Sequence, residues 1–472
     1  MPSTPSTDSP PREAQTRAFV PSLTLSGFTV SLINILPVPL LPSLPELLGT
    51  TPTYAYWTVT STLLVAAVST PICGRLGDML GKRRVLLYCL GLMIAGSVLC
   101  ACAGSVATLI GGRALQGCAA GALPLGLSIM RDQLPARRLG RGLAAMSASV
   151  GVGGTVGFPL AAFISEHANW RMLFWLVVAV GVVQVSLVAF LVPESGIRHG
   201  GRFDWIGAAL LSAGLVCVLV ALSKGHDWGW TSPAIAGTAL LGTVAVASWV
   251  RYESRTGQPL VNPRTLSVLP MLLTNMVTLL VGFAMFVLSL VVPQMLQAPP
   301  GTGYGTAWSM VEAGLALAPA GVAMMAIVPV STRIVVRLRS KGVLLLGCGA
   351  VGSGYALVIP LSGSSWIVLA PAVVGIGLGL AFFAMPAIIA ATAPAAEIAA
   401  ANGFNTLVRQ LGAALSSALT SVVFANFNVR IPVDGVMRLY PSRTGLTVAL
   451  LAACAACAVA AVVTTCIPRE VP

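Results

Sequence analysis

Fourteen apolar stretches of about 20 residues follow one another along the chain, separated by short polar turns. Each is long enough to cross the hydrocarbon core of a bilayer as a helix. Their approximate limits are 20–42, 54–73, 85–103, 106–129, 142–164, 172–192, 204–223, 233–250, 269–293, 312–332, 342–361, 365–391, 403–425 and 445–467. Strand-like alternation is not the dominant signal anywhere, so the pattern predicts an all-α membrane protein with 14 transmembrane helices. Residues 1–18 are rich in Pro, Ser and Thr and read as a disordered cytoplasmic tail.

Composition agrees with the pattern. The 472 residues are 56% hydrophobic and only 9% charged, with mean hydropathy +0.89. A soluble domain averages about 25% charged residues, so a water-soluble fold is excluded. The net charge of +13 could suggest nucleic acid, but its distribution gives another reading. With the N-terminus inside, twenty of the 27 bases fall in cytoplasmic segments and five outside, while Arg113 and Arg409 lie within spans. That is a positive-inside asymmetry, which orients the chain with both termini cytoplasmic and leaves no role for nucleic acid. The ten cysteines lie in or beside apolar runs, so no disulfide is expected. The three histidines are scattered in loops, and no Walker loop, zinc spacing or catalytic triad occurs, so neither a cofactor nor an enzyme activity is expected.

The turn after the second span concentrates chemistry: Gly74, Arg75, Gly77, Asp78, Gly81, Lys82, Arg83 and Arg84 lie within eleven residues. Glycines permit a tight reversal, and the bases hold it on the cytoplasmic side. A carboxylate there can accept hydrogen bonds from free N–H groups at a neighbouring helix start. The alternative is a surface acid paired with Arg75 or Arg83. Shifting the chain by 258 residues lays this region over the one after the tenth span. Pro71 then meets Pro329, Arg75 meets Arg333, Leu80 meets Leu338 and Val85 meets Val343, whereas Asp78 meets Val336.

This turn and its echo resemble the loop between helices 2 and 3 of the major facilitator superfamily of transporters. The resemblance implies two six-helix pseudo-repeat bundles, here 19–194 and 265–468, with a linker of two inserted helices, 195–264, between them. A substrate site would lie between the bundles near the midplane. It also implies that Asp78 bridges the halves and holds an outward-open state.

Other motifs extend the resemblance. Arg113, Gln116 and Gly117 match the family's helix-4 pattern, where the arginine is tied to proton coupling or to structuring the cavity. From the residues alone, an arginine inside a span must face shelter in the bundle interior, with carbonyls or Gln116 as partners. Gly153 and Gly157 match the kinked helix-5 signature of the family's antiporters, but Phe158 stands where proline is expected and Pro159 follows one residue late. Plain helix packing is the alternative reading of those glycines. Arg409, with Gln410, Asn405 and Thr406 nearby, lies in an Arg-Gln-x-Gly pattern common in the fourteen-span drug-efflux branch. Asn34 is a cavity candidate in the first span. That span lacks the acid many such exporters carry, which leaves Glu46, Asp132 and Glu312 as candidate proton carriers.

The sequence therefore predicts a secondary transporter, similar to bacterial drug:proton antiporters, in the inner membrane. It would act as a monomer in the lipid bilayer, exporting small lipophilic compounds by alternating access in exchange for protons. A dedicated exporter of one endogenous metabolite is the alternative within transport. A membrane-embedded enzyme or a channel is disfavoured by the lack of clustered catalytic groups at membrane depth and by the bilobed repeat.

Overall fold

A computed structural model describes residues 13–41, 43–50, 52–194, 204–257, 262–359, 369–394, 397–433 and 436–468. The expected tail residues 1–12 and the linker residues 195–203 and 258–261 lie outside them. The helices are α1 (Glu13–Ile35), α2 (Leu44–Leu48), α3 (Pro52–Leu80), α4 (Lys82–Ala101), α5 (Val106–Gly117), α6 (Ala122–Gln133), α7 (Ala136–His167), α8 (Met172–Leu191), α9 (Trp205–Trp228), α10 (Pro233–Glu253), α11 (Pro263–Leu266), α12 (Leu269–Gln297), α13 (Met310–Val358), α14 (Leu369–Thr392), α15 (Ile398–Asn426) and α16 (Arg443–Thr465). Ten helical stretches among the described residues are long and apolar enough to cross a membrane.

Several boundaries differ from the expectation, each for a local reason. The first helix begins at Glu13, inside the expected tail, and ends at Ile35. Pro37 and Pro39 lack the N–H groups a helix needs, so the chain turns where the apolar run continues. The fourth span is split into α5 and α6 by a 3₁₀ turn at Cys118–Gly121. Helix α9 runs to Trp228, where a loop is expected from residue 224. The fold is not wholly α-helical. Asn428–Val433 and Val436–Pro441 form an antiparallel two-stranded sheet, β1–β2, in which Arg430 pairs with Leu439. Its strands alternate with period two, but Pro432 and the basic residues give the segment the look of a loop.

Residues 81, 134 and 339 mark what we term the basic end of the bundle, and residues 104, 168 and 303 the far end. At the basic end Lys82 Nζ lies 2.6 Å from an Asp132 oxygen, and Lys341 Nζ donates to the Thr465 carbonyl at 2.7 Å. At the far end Arg171 donates to the Ala103 carbonyl at 2.8 Å, and Tyr304 to that of Pro441 at 2.6 Å. Ser105, Ser232, Ser309 and Ser442 cap four helix starts there.

The 258-residue repeat recurs in the backbone. The α3–α4 reversal occurs at Gly81, with φ 106°, and the equivalent reversal inside α13 occurs at Arg339, with φ 56°. Positive φ is natural for glycine and costly for arginine. The Arg339 break separates two helices that the sequence reads as separate spans. Close approaches repeat as well. A side chain at Gly117 would meet the Thr62 carbonyl at 2.6 Å, and at Gly375 it would meet that of Ala320. Helix α1 packs on α7 and α8, as α12 packs on α15 and α16.

Two buried cores result. One lies within residues 19–192, joined by Phe286, Leu290 and Ala413, and the other within residues 277–467. Helices α9 and α10 pack on each other, and Ala208, Leu211 and Leu215 of α9 fill the seam between α3 and α15. Large apolar side chains such as Phe190, Leu240 and Leu241 face outward, as a lipid-facing surface requires.

Candidate functional site

At the basic end, the Asp78 carboxylate lies 3.9 Å from Lys82 Nζ, which is the ion the sequence did not single out as its partner. Lys82 is buried and also salt-bridges Asp132 at the end of α6, so one ammonium gathers two acids. Arg83 donates to the Ala189 carbonyl of α8, and Arg84 Nε lies 3.7 Å from Glu194. Gly77 packs directly on Leu125, Arg75 is half-buried, and the space a side chain would enter at Gly74 is open. The turn is thus bound to its own half through Lys82, Arg83 and Arg84. Asp132, a candidate proton carrier, is engaged in this ion pair.

Deeper in the same half, Arg113 is fully buried and staples three helices. Its Nε donates to the Thr58 carbonyl of α3 at 3.0 Å, and Nη1 to the Ile33 carbonyl of α1 at 3.0 Å and to Gln116 Oε1 at 2.6 Å. Gln116 in turn donates to Ser97 of α4 at 2.8 Å. The carbonyl-and-Gln116 partnership expected from sequence is what the fold presents. Asn34 and Gln116 line a small recess beside it. Gln184 of α8, which sequence reasoning passed over, adds a second buried polar link. It donates to Ser26 at 2.6 Å and accepts from Thr29 at 2.9 Å, both on α1. Its signal was a lone amide in an otherwise apolar helix.

The helix-5 glycines are packing positions. Side chains at Gly153 and Gly157 would meet Phe28 and Leu32 of α1, while Gly151 faces Met324 and Met325 of α13. Helix α7 therefore bridges the two halves. Pro159 lies inside α7 and contacts Gly314. Nearer the far end, Glu166 at the end of α7 accepts hydrogen bonds from the Met310 N–H at 2.8 Å and the Val311 N–H at 3.3 Å. A carboxylate from one half thus caps the first turn of a helix in the other, which closes the far end along this seam. Glu312 is occupied in the Ser309 capping box of that same helix, and Glu46 sits in the short helix α2. Glu166→Ala is expected to destabilise the closed far end by about 1 kcal/mol, the worth of a helix cap. Distances between spin labels on the far ends of α7 and α13 would lengthen in a larger fraction of molecules, and an unchanged distribution would reject the clasp.

Between the halves lies a cavity of about 660 Å³, counting its open mouth. Leu123, Leu127, Met146 and Val150 contribute one wall, and Met324, Phe382, Met385 and Arg409 belong to the other. Asn402, Asn405 and Thr406 of α15 complete it. These residues lie in the basic-end portions of α6, α7 and α15, so the cavity sits toward that end while the far end is closed. Gln410 is buried on α15 but is not among the lining residues. The fold therefore brings Arg409 to the seam but leaves Arg113 and Gln116 within one half.

Residues 23–417 match the Major Facilitator Superfamily. An uncharacterized MFS-type transporter of Mycobacterium tuberculosis is 28% identical over 401 residues, 83% of this chain, and the chain spans 57% of that relative's length. Multidrug resistance protein 3 of Bacillus subtilis is 24% identical over 420 residues, 88% of this chain and 81% of that protein. The tetracenomycin C resistance and export protein of Streptomyces glaucescens is 28% identical over 380 residues, 78% of this chain and 69% of that protein. The crystal structure of the human organic anion transporter MFSD10 (TETRAN) superposes with TM-score 0.66 at 16% identity, covering 97% of this chain and 100% of that one.

Proposed function

Because the chain belongs to the Major Facilitator Superfamily, and so is a membrane transporter, we propose that it exports small lipophilic organic compounds across the bacterial plasma membrane by alternating access, in exchange for protons. The observation that carries this reading is the cavity between the halves, apolar on most of its wall and closed at the far end by the α7–α13 contacts. With the basic end cytoplasmic, that is an inward-facing arrangement ready to load cargo from the cell interior or inner leaflet. Relatives named for multidrug resistance and tetracenomycin export support the direction of transport and the class of cargo.

In this reading the chain crosses the membrane fourteen times, with bundles 19–194 and 265–468 rocking about the cavity and linker helices in 195–264. Both termini are cytoplasmic, and the functional unit is one chain in lipid. The topology has a direct check in a cysteine-free version. Trp228→Cys should react with an impermeant thiol reagent from outside, and Gly257→Cys and Arg337→Cys should not. The opposite sidedness would overturn the count.

The functional test is expression in an efflux-deficient bacterium. Accumulation of a panel of lipophilic drugs should fall several-fold and return on adding a protonophore. Unchanged accumulation across the panel would reject export. The similarity to a tetracenomycin exporter favours a second reading, export of a single metabolite, which the same panel would reveal as clearance of one compound only.

A further inference from the structure

The two arginines within the spans are held very differently. Arg113 spends its guanidinium on two helix carbonyls and Gln116. Arg409 makes no hydrogen bond or ion pair among the described residues. Its contact is with the Phe382 ring, whose centroid lies 5.0 Å from the guanidinium carbon. Among the described residues, those that line the cavity with it include no Asp, Glu or His. A permanently charged group at membrane depth, with one ring face as company, is not repaid for leaving water. Five N–H donors in a planar fork are thus presented to the cavity without an acceptor.

The rest of the wall defines what would use them. Asn402, Asn405, Thr406 and Arg409 follow at helical spacing and form one polar stripe along α15. Asn405 is held in place by donating to Asn275 at 2.9 Å and Thr278 at 2.7 Å. Across from this stripe stand Leu123, Leu127, Val150 and the pliant side chain of Met146, and Met324 and Met385 flank it on its own wall.

Deepening the export reading above, on which it rests, we propose that the cargo is an anionic aromatic amphiphile, whose carboxylate, sulfonate or phenolate is received by Arg409 and whose ring system lies against the methionine and leucine wall. A planar guanidinium meets a carboxylate with two parallel hydrogen bonds. The same group repels a lipophilic cation, and no acid among the described lining residues offsets it.

The test uses the purified full-length protein in lipid nanodiscs. Binding of 5-carboxyfluorescein and of rhodamine 123, which share a xanthene ring but differ in charge, is followed by fluorescence anisotropy. The anionic dye should bind at least tenfold more tightly, the size of effect expected of a hydrogen bond to a charged group. In competition, 2-naphthoate should displace the bound dye at least tenfold better than its methyl ester, although the ester is more lipophilic. Arg409→Gln, checked for monodispersity, should bring the acid-to-ester ratio close to one, and Arg409→Lys should retain part of it. Equal or better competition by the ester in the unmodified protein overturns the inference without relying on any variant, as does an unchanged ratio in Arg409→Gln. Export of cationic dyes alone from cells would defeat this inference and leave the export reading standing. No change in accumulation of any compound, with neither dye bound, would defeat both.

Discussion

Arg113→Ala is expected to abolish proton-driven uptake of a transported dye into inverted membrane vesicles, and Arg113→Lys to cut it roughly tenfold, the equivalent of one charge-assisted hydrogen bond. The reason is geometric. One side chain joins α1 through Ile33, α3 through Thr58 and its own helix through Gln116. Helix α1 also packs on α7, which faces the other half, so its placement is communicated to the seam. Alanine removes the shared donor from Ile33, Thr58 and Gln116 in a site that excludes water, and of these the Thr58 carbonyl keeps the Thr62 hydroxyl. A lysine carries the charge but has a single donor centre, which cannot reach two carbonyls and an amide in the directions a planar fork reaches. The arginine keeps its proton throughout, so it acts as a fixed element of the scaffold. Measuring dye binding beside uptake separates two roles. Lost uptake with retained binding places Arg113 in the coupling machinery, and wild-type behaviour of Arg113→Lys in both assays rejects the fork argument.

Asp78→Ala should leave the protein at normal abundance in the membrane but reduce transport by tenfold or more. In the present arrangement Asp78 lies close to Lys82, which is shared with Asp132. Ala67, Val68 and Ile72 of α3 cluster with Phe404, Leu407 and Leu411 of α15. Helices α3 and α15 pack on each other, and the end of α3 that carries Asp78 and the start of α15 both lie at the basic end. The N–H groups of a first turn have no partner inside their own helix, and the helix dipole favours an anion there. Asp78 can therefore exchange Lys82 for α15 when the basic end closes, and that exchange would supply the outward-open state with its clasp. The second half has Val336 at the repeat-related position, largely exposed, and so offers no substitute. Asp78→Asn, which accepts but carries no charge, should fall between the two. Full transport by Asp78→Ala at normal abundance would remove the clasp from the account.

What could be read from the sequence was what depends on local pattern. Length of apolar run located most of the helices, because a bilayer imposes a minimum span, but it misplaced ends such as those of α1 and α3 by about seven residues, where prolines or continuing polar turns set the limits. The 258-residue shift was visible because Pro71 and Pro329 occupy equivalent places inside α3 and α13, and it reappears in the paired reversals at Gly81 and Arg339. Arg113 and Gln116 were linked in advance because three residues of helix place them on one face. What could not be read were contacts between elements distant in the chain. Lys82 meets Asp132 fifty positions away, Gln184 meets Ser26 across the first half, and Glu166 caps a helix of the second half. Periodicity carries no information on such pairings, since any of several polar groups at the same depth would satisfy the pattern. The β1–β2 hairpin was hidden for a different reason: a short exposed ribbon with proline and arginine has the composition of a loop.

The central claim, proton-coupled export through the cavity between the halves, is tested most directly with purified protein in proteoliposomes. The vesicles contain an entrapped pH-sensitive dye, and an acidic interior is imposed so that the lumen stands for the outer side of the membrane. For molecules with their basic end facing the bath, an exported compound should accumulate inside above its external concentration, with internal alkalinisation in step with uptake. Both should vanish with a protonophore and in Arg113→Ala. Uptake that merely equilibrates, or that proceeds without internal alkalinisation, would contradict the account.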